Sequence, residues 1–402
     1  MPRGSFSLGD FKKLSLRLRA RVTSMFRVDK LIVLGHVNIV LSEVHERIPP
    51  GHHPREEDLT MPAWNPNPGT RAHRLLGGAL LSLLLFAAAV PVGAAELVVY
   101  SARHYGNEPA FHAFTKKTGI AVKTFNASSA ELFERLKAEG DRTPADVLIS
   151  VDAGNLWNAA RAGLLAAVES HLLRTNIPAH LRDPDTRWFG LTVRARAIVY
   201  NTKKVKPAEL STYEALGDSK WKGRLCLRPS NYIYSQSFLA AMIKRHGEAK
   251  TEQIVRGWVS NNPTLINSDT KQIEAVAAGQ CDVALVNHYY LARLLSKKPD
   301  LPVAIFWANQ QTTGVHVNIS GAGVTAHSRS RDQAITFIEF LSSVEAQNLF
   351  ADENFEYPVN SEAAPDPLIA RWGKFKADDI NIAAAGEFQA AAARLADRAG
   401  YK

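Results

Sequence analysis

Cysteine is scarce in this sequence, with 2 in 402 residues, so at most one disulfide can form within the chain. Cys226 lies in the apolar stretch GRLCLR and Cys281 in GQCDVALV, and both stretches have the pattern of strands. Two such strands could be neighbours in one sheet, and an even number of cysteines in an oxidising compartment is typical of a disulfide. Two buried thiols are the alternative, and the sequence leaves this choice open.

Several motifs of catalysis and metal binding are missing. The sequence has no EF-hand loop, no His-Glu-x-x-His and no Gly-x-Ser-x-Gly, and we find no pair of carboxylates in a persuasive catalytic setting. We therefore expect a protein that is not an enzyme. The remaining enzymatic alternative is a lyase that uses tyrosine as an acid and arginine as an anion clamp.

Basic runs interleaved with aromatic residues are also missing, and we expect no nucleic-acid partner. The net charge of +9 comes in part from the first 95 residues, which hold 12 Lys and Arg against 7 Asp and Glu. The other 307 residues hold 36 basic and 32 acidic residues. So mild an excess indicates no particular partner.

The apolar run over 75–90 is shorter than the roughly 20 residues that a membrane-spanning helix needs. It follows two arginines and precedes small residues that end at Ala95, which is the layout of a secretory signal peptide. We expect residues 61–95 to be this signal, cleaved after Ala95, and the mature protein to be periplasmic. No cysteine stands at the cleavage point, so a lipid anchor is not supported.

Residues 1–60 receive no fold assignment. Signal peptides begin near an N-terminus, so the favoured explanation is that Met61 is the true start and that the upstream part is an over-extended reading frame. The alternative is that the basic stretch FKKLSLRLRARVTSMF forms a helix that lies on membrane lipid.

From Glu96 onward, short apolar strands alternate with amphipathic helices. ELVVYS, IAVKTFNA and ADVLISVD predict strands, and a helical pattern follows each of them. The first helix ends in basic residues and Gly119, and the second begins with Ser128 and Glu131 at the spacing of a capping box. This alternation predicts an α/β fold with a mainly parallel sheet that helices cover on both faces.

Two long strand-like stretches interrupt the alternation. WFGLTVRARAIVYN suits a crossing between domains, a second α/β set follows it, and TTGVHVNISGAGVTAHS could cross back. We predict two lobes joined by two crossing hinge strands, with a ligand cleft between the lobes. Lobe 1 is expected to comprise residues 96–193 and about 315–370, and lobe 2 residues 194–314 and about 371–402.

Tyrosines concentrate where this architecture places the cleft. Six of the 10 tyrosines lie in three strand–loop–helix segments or their flanking strand, namely Tyr100, Tyr105, Tyr232, Tyr234, Tyr289 and Tyr290. A single tyrosine at a strand end usually packs with its hydroxyl in water, but chance packing explains so biased a set poorly. In a loop, the adjacent Tyr289 and Tyr290 could turn both oxygens toward one point.

Several phenols with one imidazole suit ferric iron. Hard, highly charged cations prefer oxygen ligands, imidazole also suits iron, and a trivalent cation would favour the phenolate. Zn2+ would want cysteine, histidine or carboxylate, and Ca2+ a carboxylate cage. Arg293 follows Tyr289 by four residues and shares its helix face, so it could balance phenolate charge. Arg194 and Arg196 point to one face of the crossing strand, and which of them faces the cleft stays open.

Residues 96–402 resemble the ferric-iron-binding periplasmic proteins of bacterial ABC importers, in the branch with a tyrosine-rich site. The marks are YSARHY, ISVDAGNLW, GLTVRARAIVYN, CLRPSNYIYSQS and AAGQCDVALVNHYYLARL, of which the paired tyrosine is the most specific. The resemblance implies a two-lobe type II clamp, Fe3+ as the transported ligand and an inner-membrane ABC permease as partner, and we expect a monomer. It implies iron ligands at His104, Tyr105, Tyr234, Tyr289 and Tyr290, with Arg194 and Arg293 as balancing charges.

The resemblance also ranks neighbouring residues. Tyr234 is preferred to Tyr232 because its Asn-x-x-Tyr-Ser-Gln-Ser setting fits the family better, and His288 falls behind His104. Other branches use a carboxylate and an exogenous anion; Asp152 is the nearest carboxylate here, and we expect neither it nor an obligatory anion to join the site. A receptor of the same fold for a phosphonate, a polyamine, thiamine or chelated iron is the alternative function.

Overall fold

The computed structural model describes residues 96–103 and 108–402. The predictions for residues 1–95, including the signal peptide and the start at Met61, lie outside the described residues, and so do those for His104 and Tyr105. In the described part of the chain, no helix is both long enough and apolar enough to cross a membrane.

Strands and helices alternate along the described chain, as the sequence predicts. The strands are β1 Glu96–Ser101, β2 Ala121–Asn126, β3 Val147–Ser150, β4 Phe189–Asn201, β5 Leu225–Leu227, β6 Thr264–Leu265, β7 Val283–Asn287, β8 Val303–Phe306, β9 Val317–Val324 and β10 Tyr357–Pro358. The helices are α1 Pro109–Thr118, α2 Ser129–Glu139, α3 Ala153–Arg161, α4 His171–Asn176, α5 Ile233–His246, α6 Glu248–Ser260, α7 Asp269–Ala277, α8 His288–Leu295, α9 Arg331–Leu341, α10 Val344–Asn354, α11 Pro367–Ala370, α12 Ala384–Glu387 and α13 Gln389–Ala399.

Local signals in the sequence explain where the first helices begin and end. The hydroxyl of Ser128 accepts the backbone N–H of Glu131, and the carboxylate of Glu131 accepts the backbone N–H of Ser128. The predicted capping box of α2 is therefore confirmed. Gly119 ends α1 with a φ of 76°, a left-handed conformation that glycine adopts without strain.

The long, buried strand β4 belongs to both lobes. Its first half pairs antiparallel with β9, beside which lie β3, β1 and β2. Its second half pairs antiparallel with β7 and β8, and β5 and β6 follow β7. Strands β1 to β3 are mutually parallel, and so are β5 to β7. Each lobe thus has the predicted parallel strands, whereas the crossing strands pair antiparallel and make the sheet mixed.

The described residues form three hydrophobic clusters, one beside the first half of β4 and two beside its second half. The first includes Leu97, Phe337 and Ala385, and the second includes Ile198 and Trp258, against which Phe388 packs. We propose the predicted lobes with one change, that the chain enters lobe 2 for the last time between Ala385 and Phe388 and not near residue 370.

Cys226 and Cys281 form a disulfide, with 5.8 Å between their Cα atoms. The bond can form because β5 and β7 are adjacent parallel strands, with Cys226 opposite Ala284 and Cys281 just before β7. Of the two possibilities that the sequence leaves open, the structure contains the bridge and not two buried thiols.

Candidate metal centre

A cleft of about 540 Å³ is lined by both lobes, near strand ends and helix starts. Lobe 1 contributes Ala102 after β1, Ser129 at the start of α2 and Asn155 in α3. Lobe 2 contributes four tyrosines and an arginine, namely Tyr232, Tyr234, Tyr289, Tyr290 and Arg293. The structure therefore brings together the two tyrosine segments of lobe 2, which lie far apart in the sequence.

Two phenol oxygens meet in this cleft, since the hydroxyl oxygens of Tyr234 and Tyr289 are 3.3 Å apart. Each tyrosine lies in the first turn of its helix, α5 or α8. Burial raises the pKa of the Tyr234 phenol well above its usual value, although the charge of Arg194 opposes this rise. Without a bound metal ion, Tyr234 therefore stays protonated at neutral pH.

Tyr289 and Tyr290 do not lie in a loop, and this part of the prediction was wrong. Asn287 is both the last residue of β7 and the N-cap residue of α8, so the strand passes directly into the helix. The two rings are 4.3 Å apart between centroids and inclined by 34°. Both tyrosines still line the cleft, because the helix starts there.

His288 is engaged by the backbone of neighbouring elements. Its Nδ1 accepts the N–H of Ala195 at 3.1 Å, and its Nε2 donates to the carbonyl of Phe355 at 2.9 Å. Burial lowers the pKa of the imidazole to about 4, so the ring is neutral at neutral pH. Because both nitrogens are used, His288 connects α8 to β4 and has no lone pair left for a metal ion.

The two arginines of β4 have different partners. Arg194 pairs with Glu356 at 2.8 Å, and its guanidinium carbon lies 5.5 Å from the ring centroid of Tyr289. Arg196 pairs instead with Asp269 at 3.0 Å. Arg293 lies 5.1 Å from the Tyr289 ring centroid, on the same face of α8. Arg194 and Arg293 thus lie beside the phenols, where the resemblance expects balancing charges.

Glu356 is a buried carboxylate that the sequence pattern did not single out. It pairs with Arg103 at 3.1 Å as well as with Arg194, and the hydroxyl of Thr192 donates to it at 2.6 Å. Burial alone would raise the pKa of this carboxyl, but the two arginines outweigh burial and hold the pKa far below its usual range. Arg103 directly precedes His104, so Glu356 anchors the chain just before the segment in which the resemblance places the lobe-1 ligands.

Tyr232 also lines the cleft, but its ring packs against the guanidinium group of Arg228. The guanidinium carbon of Arg228 lies 3.4 Å from the ring centroid of Tyr232 and 5.6 Å from that of Tyr234. Such a contact favours a fixed ring orientation. Of the two tyrosines, Tyr234 is the one whose oxygen meets that of Tyr289, and Tyr232 is the one stacked on Arg228.

The carboxylate of Asp152 accepts hydrogen bonds from three groups of the protein. It accepts the N–H of Gly154 at 2.7 Å and the side chains of Ser237 and Asn318 at 2.8 Å each. Burial raises the pKa of this carboxyl to about 6, against the effect of these bonds. Asp152 therefore caps α3 and connects it to α5 and β9.

Tyr100 does not belong with the tyrosines of the cleft. It is buried, and its hydroxyl donates to Glu139 at 2.9 Å. Among the residues that the structure describes, no three His, Cys, Asp or Glu side chains converge where they could hold a metal ion. The donor set that remains is phenolic, flanked by guanidinium groups, and such a set favours a hard, highly charged cation over Zn2+ or Ca2+.

Two α/β lobes that share a crossing strand and enclose a cleft define a periplasmic binding protein of type II. The family model of bacterial extracellular solute-binding proteins matches residues 110–377, and the chain belongs to this family.

The relatives of the chain include iron-uptake proteins. It is 43% identical to "Iron uptake protein A1" of Synechocystis sp. over 317 residues, which are 76% of this chain and 88% of that protein. The Trichodesmium protein IdiA/FutA, solved in complex with iron and citrate ligands, is 44% identical, with a TM-score of 0.74 over 77% of this chain and 100% of that one. The ferric binding protein from Campylobacter jejuni is 34% identical, with a TM-score of 0.71 over 76% of this chain and 100% of that one.

Proposed function

We propose that this protein is an extracytoplasmic receptor that binds Fe3+ between its lobes and delivers it to an inner-membrane ABC permease. The observation that carries the proposal is the 3.3 Å approach of the Tyr234 and Tyr289 oxygens. Two neutral phenols gain little more than one weak hydrogen bond from this arrangement, whereas a trivalent cation between them would bind two phenolates. Iron uptake by the relatives supports the same function.

The ligand set combines residues from both lobes. Tyr234, Tyr289 and Tyr290 bind the ion from lobe 2, and closure of the lobes adds His104 and Tyr105 from lobe 1. Arg194 and Arg293 balance the excess negative charge of the phenolates. Asp152 stays outside this set, since its oxygens already accept three hydrogen bonds.

The colour of the iron-loaded protein tests this function. Phenolate-to-iron charge transfer gives a visible absorption band, so the protein should turn coloured on titration with ferric nitrilotriacetate, with one iron per chain. Gallium(III) should compete without colour. A protein that stays colourless and retains no iron after gel filtration would contradict the proposal.

A receptor for chelated iron is a second candidate, favoured by the size of the cleft. About 540 Å³ is within the range of small-molecule sites and exceeds what a single ion needs. Citrate bound together with iron in the Trichodesmium structure is consistent with this candidate. Mass spectrometry of the native protein after loading with ferric citrate distinguishes the two, since a chelate adds the mass of citrate and a bare ion does not.

The setting of the receptor is part of the proposal. We infer export by the signal over residues 61–95, with cleavage after Ala95, and a monomeric mature protein without catalytic activity. N-terminal sequencing of the exported protein tests the cleavage site. Light scattering of the mature form tests the oligomeric state.

A further inference from the structure

Asp269 is a buried carboxylate that contacts three separate elements of lobe 2. It is the first residue of α7 and only 1% exposed. One oxygen accepts Arg228 at 2.9 Å. The other accepts Arg196 of β4 at 3.0 Å and the backbone N–H of Asn287 at 2.9 Å. A carboxylate this buried is stable only with such partners, because an unpaired charge in the interior is very costly.

Asp269 contacts both tyrosine segments, one through Arg228 and the other through Asn287. Arg228 stacks on the ring of Tyr232 at 3.4 Å and begins the turn that leads to Tyr234 in α5. Asn287 is the N-cap residue of α8, two residues before Tyr289. One side chain therefore bonds the backbone just upstream of Tyr289 and the arginine side chain that stacks beside Tyr234, the two phenols whose oxygens lie 3.3 Å apart.

The charge of this cluster also suits an anionic set of ligands. Asp269 pairs with two arginines, so the group of Asp269, Arg196 and Arg228 has a net charge of +1. Guanidinium groups remain protonated at any physiological pH, and the charge is therefore permanent. The guanidinium carbon of Arg228 lies 5.6 Å from the ring centroid of Tyr234, so this charge lowers the energy of a phenolate in a poorly solvated site.

We propose that Asp269 is a positioning residue for the metal ion, which holds Tyr234 and Tyr289 in register and keeps the cation of Arg228 against the tyrosines. The inference rests on the proposed function and adds a determinant of affinity to it. Lobe 2 then presents its phenol oxygens already gathered before the lobes close. Preorganised ligands bind more tightly because less freedom is lost on binding.

The test is the substitution Asp269→Asn, which keeps the shape of the side chain and removes its charge. We expect the apparent affinity for Fe3+, measured by competition with EDTA, to fall by about 10-fold to 100-fold, the usual effect of residues that orient metal ligands. The charge-transfer band should also move or lose intensity per bound iron, because one phenolate no longer reaches the ion. Arg228→Met should give the same two changes.

Asp146→Asn is the matched control. Asp146 is a similarly buried carboxylate of lobe 1, and it accepts hydrogen bonds from the N–H of Val98, the hydroxyl of Ser328 and the N–H of Ser330, none of which lines the cleft. This variant should melt at a lower temperature and keep the wild-type band and affinity. If Asp269→Asn does not fold, Arg228→Met alone decides the test.

The outcomes separate the two proposals. Wild-type affinity and an unchanged band in Arg228→Met, and in Asp269→Asn where it folds, would overturn the positioning role and leave the iron receptor intact. A loss of melting temperature with no change in band or affinity would also overturn it, since Asp269 would then serve the fold alone. Failure of the wild-type protein to bind Fe3+ would overturn both proposals.

Discussion

The hydroxyl oxygens of Tyr234 and Tyr289 lie 3.3 Å apart although the residues are 55 positions apart in the sequence. The start of α5 carries one of them and the start of α8 the other, and the two helices follow the adjacent strands β5 and β7. Strand pairing thus sets the distance between the phenols.

The first prediction distinguishes Tyr234 from its neighbour Tyr232. Tyr234→Phe should lower the affinity for Fe3+ by at least 10-fold and weaken the charge-transfer band, because a phenolate ligand is lost. Tyr232→Phe should stay within about 3-fold of the wild type, since its ring packs on Arg228 and phenylalanine preserves most of that contact. Titration with ferric nitrilotriacetate measures both. Equal losses in the two variants would show that the choice of ligand is wrong.

The second prediction concerns protons released when iron binds. Burial keeps the pKa of the Tyr234 phenol well above its usual value, so this group is protonated in the iron-free protein and must lose its proton to become a ligand. Affinity should therefore fall as the pH falls. Tyr234→Phe should release one proton fewer per iron, as measured by calorimetry in buffers of different ionisation enthalpy. The same proton count in the variant and the wild type would rule out phenolate at this position.

The third prediction concerns acid stability of the iron-free protein. The pKa of His288 is about 4 when folded, and a histidine in the unfolded chain has a pKa near 6.5. The unfolded state therefore binds more protons between these values, and the contribution of His288 to stability is complete above about pH 6.5 and is lost as the pH falls toward about 4. The stability advantage of the wild type over His288→Gln should shrink by about 2 kcal/mol between about pH 7.5 and about pH 5.

Urea unfolding at the two pH values measures this change. The comparison with His288→Gln is needed because other buried groups titrate in the same range. Burial raises the pKa of Asp152 to about 6, which acts in the opposite direction, and this effect cancels in the difference. If the difference in unfolding free energy between the wild type and His288→Gln does not depend on pH, the imidazole is not neutral with both nitrogens in hydrogen bonds.

The fourth prediction concerns the disulfide. Cys226 and Cys281 are 55 residues apart, and closing a loop of this length reduces the entropy of the unfolded chain by about 4 kcal/mol at room temperature. The double variant Cys226→Ala, Cys281→Ala should lose stability of this order in urea unfolding. Neither cysteine lines the cleft, so the folded variant should keep the iron affinity of the wild type. A stability loss below about 1 kcal/mol would show that the bridge adds little.

Much of the fold was predictable because its signals are local. The capping box of Ser128 and Glu131 and the stop at Gly119 involve residues within one turn of each other. The long crossing strand was visible as one long strand-like stretch, and β4 occupies nearly all of it. The pairing directions of β4 were not visible, since direction depends on partners from distant parts of the chain.

The tyrosines could be found in the sequence, but their roles could not all be assigned from it. Composition and the strand–loop–helix context pointed to Tyr234, Tyr289 and Tyr290, and equally to Tyr100, which pairs with Glu139 away from the cleft. Arg194 and Arg196 share one face of a strand, and only their acidic partners separate them.

Sequence patterns extend over a few residues, so they specified the secondary structure, the residue types of the site and the hinge-like crossing. The networks of charged side chains could be identified only in the folded structure. Glu356 lies 253 residues from Arg103, and Asp269 lies 73 residues from Arg196, yet each pair is in direct contact. Such pairs leave no local signal, because burial and mutual charge act only after the sheet has brought the residues together. The two phenol oxygens likewise come together only because the paired strands β5 and β7 bring the starts of their helices close to each other.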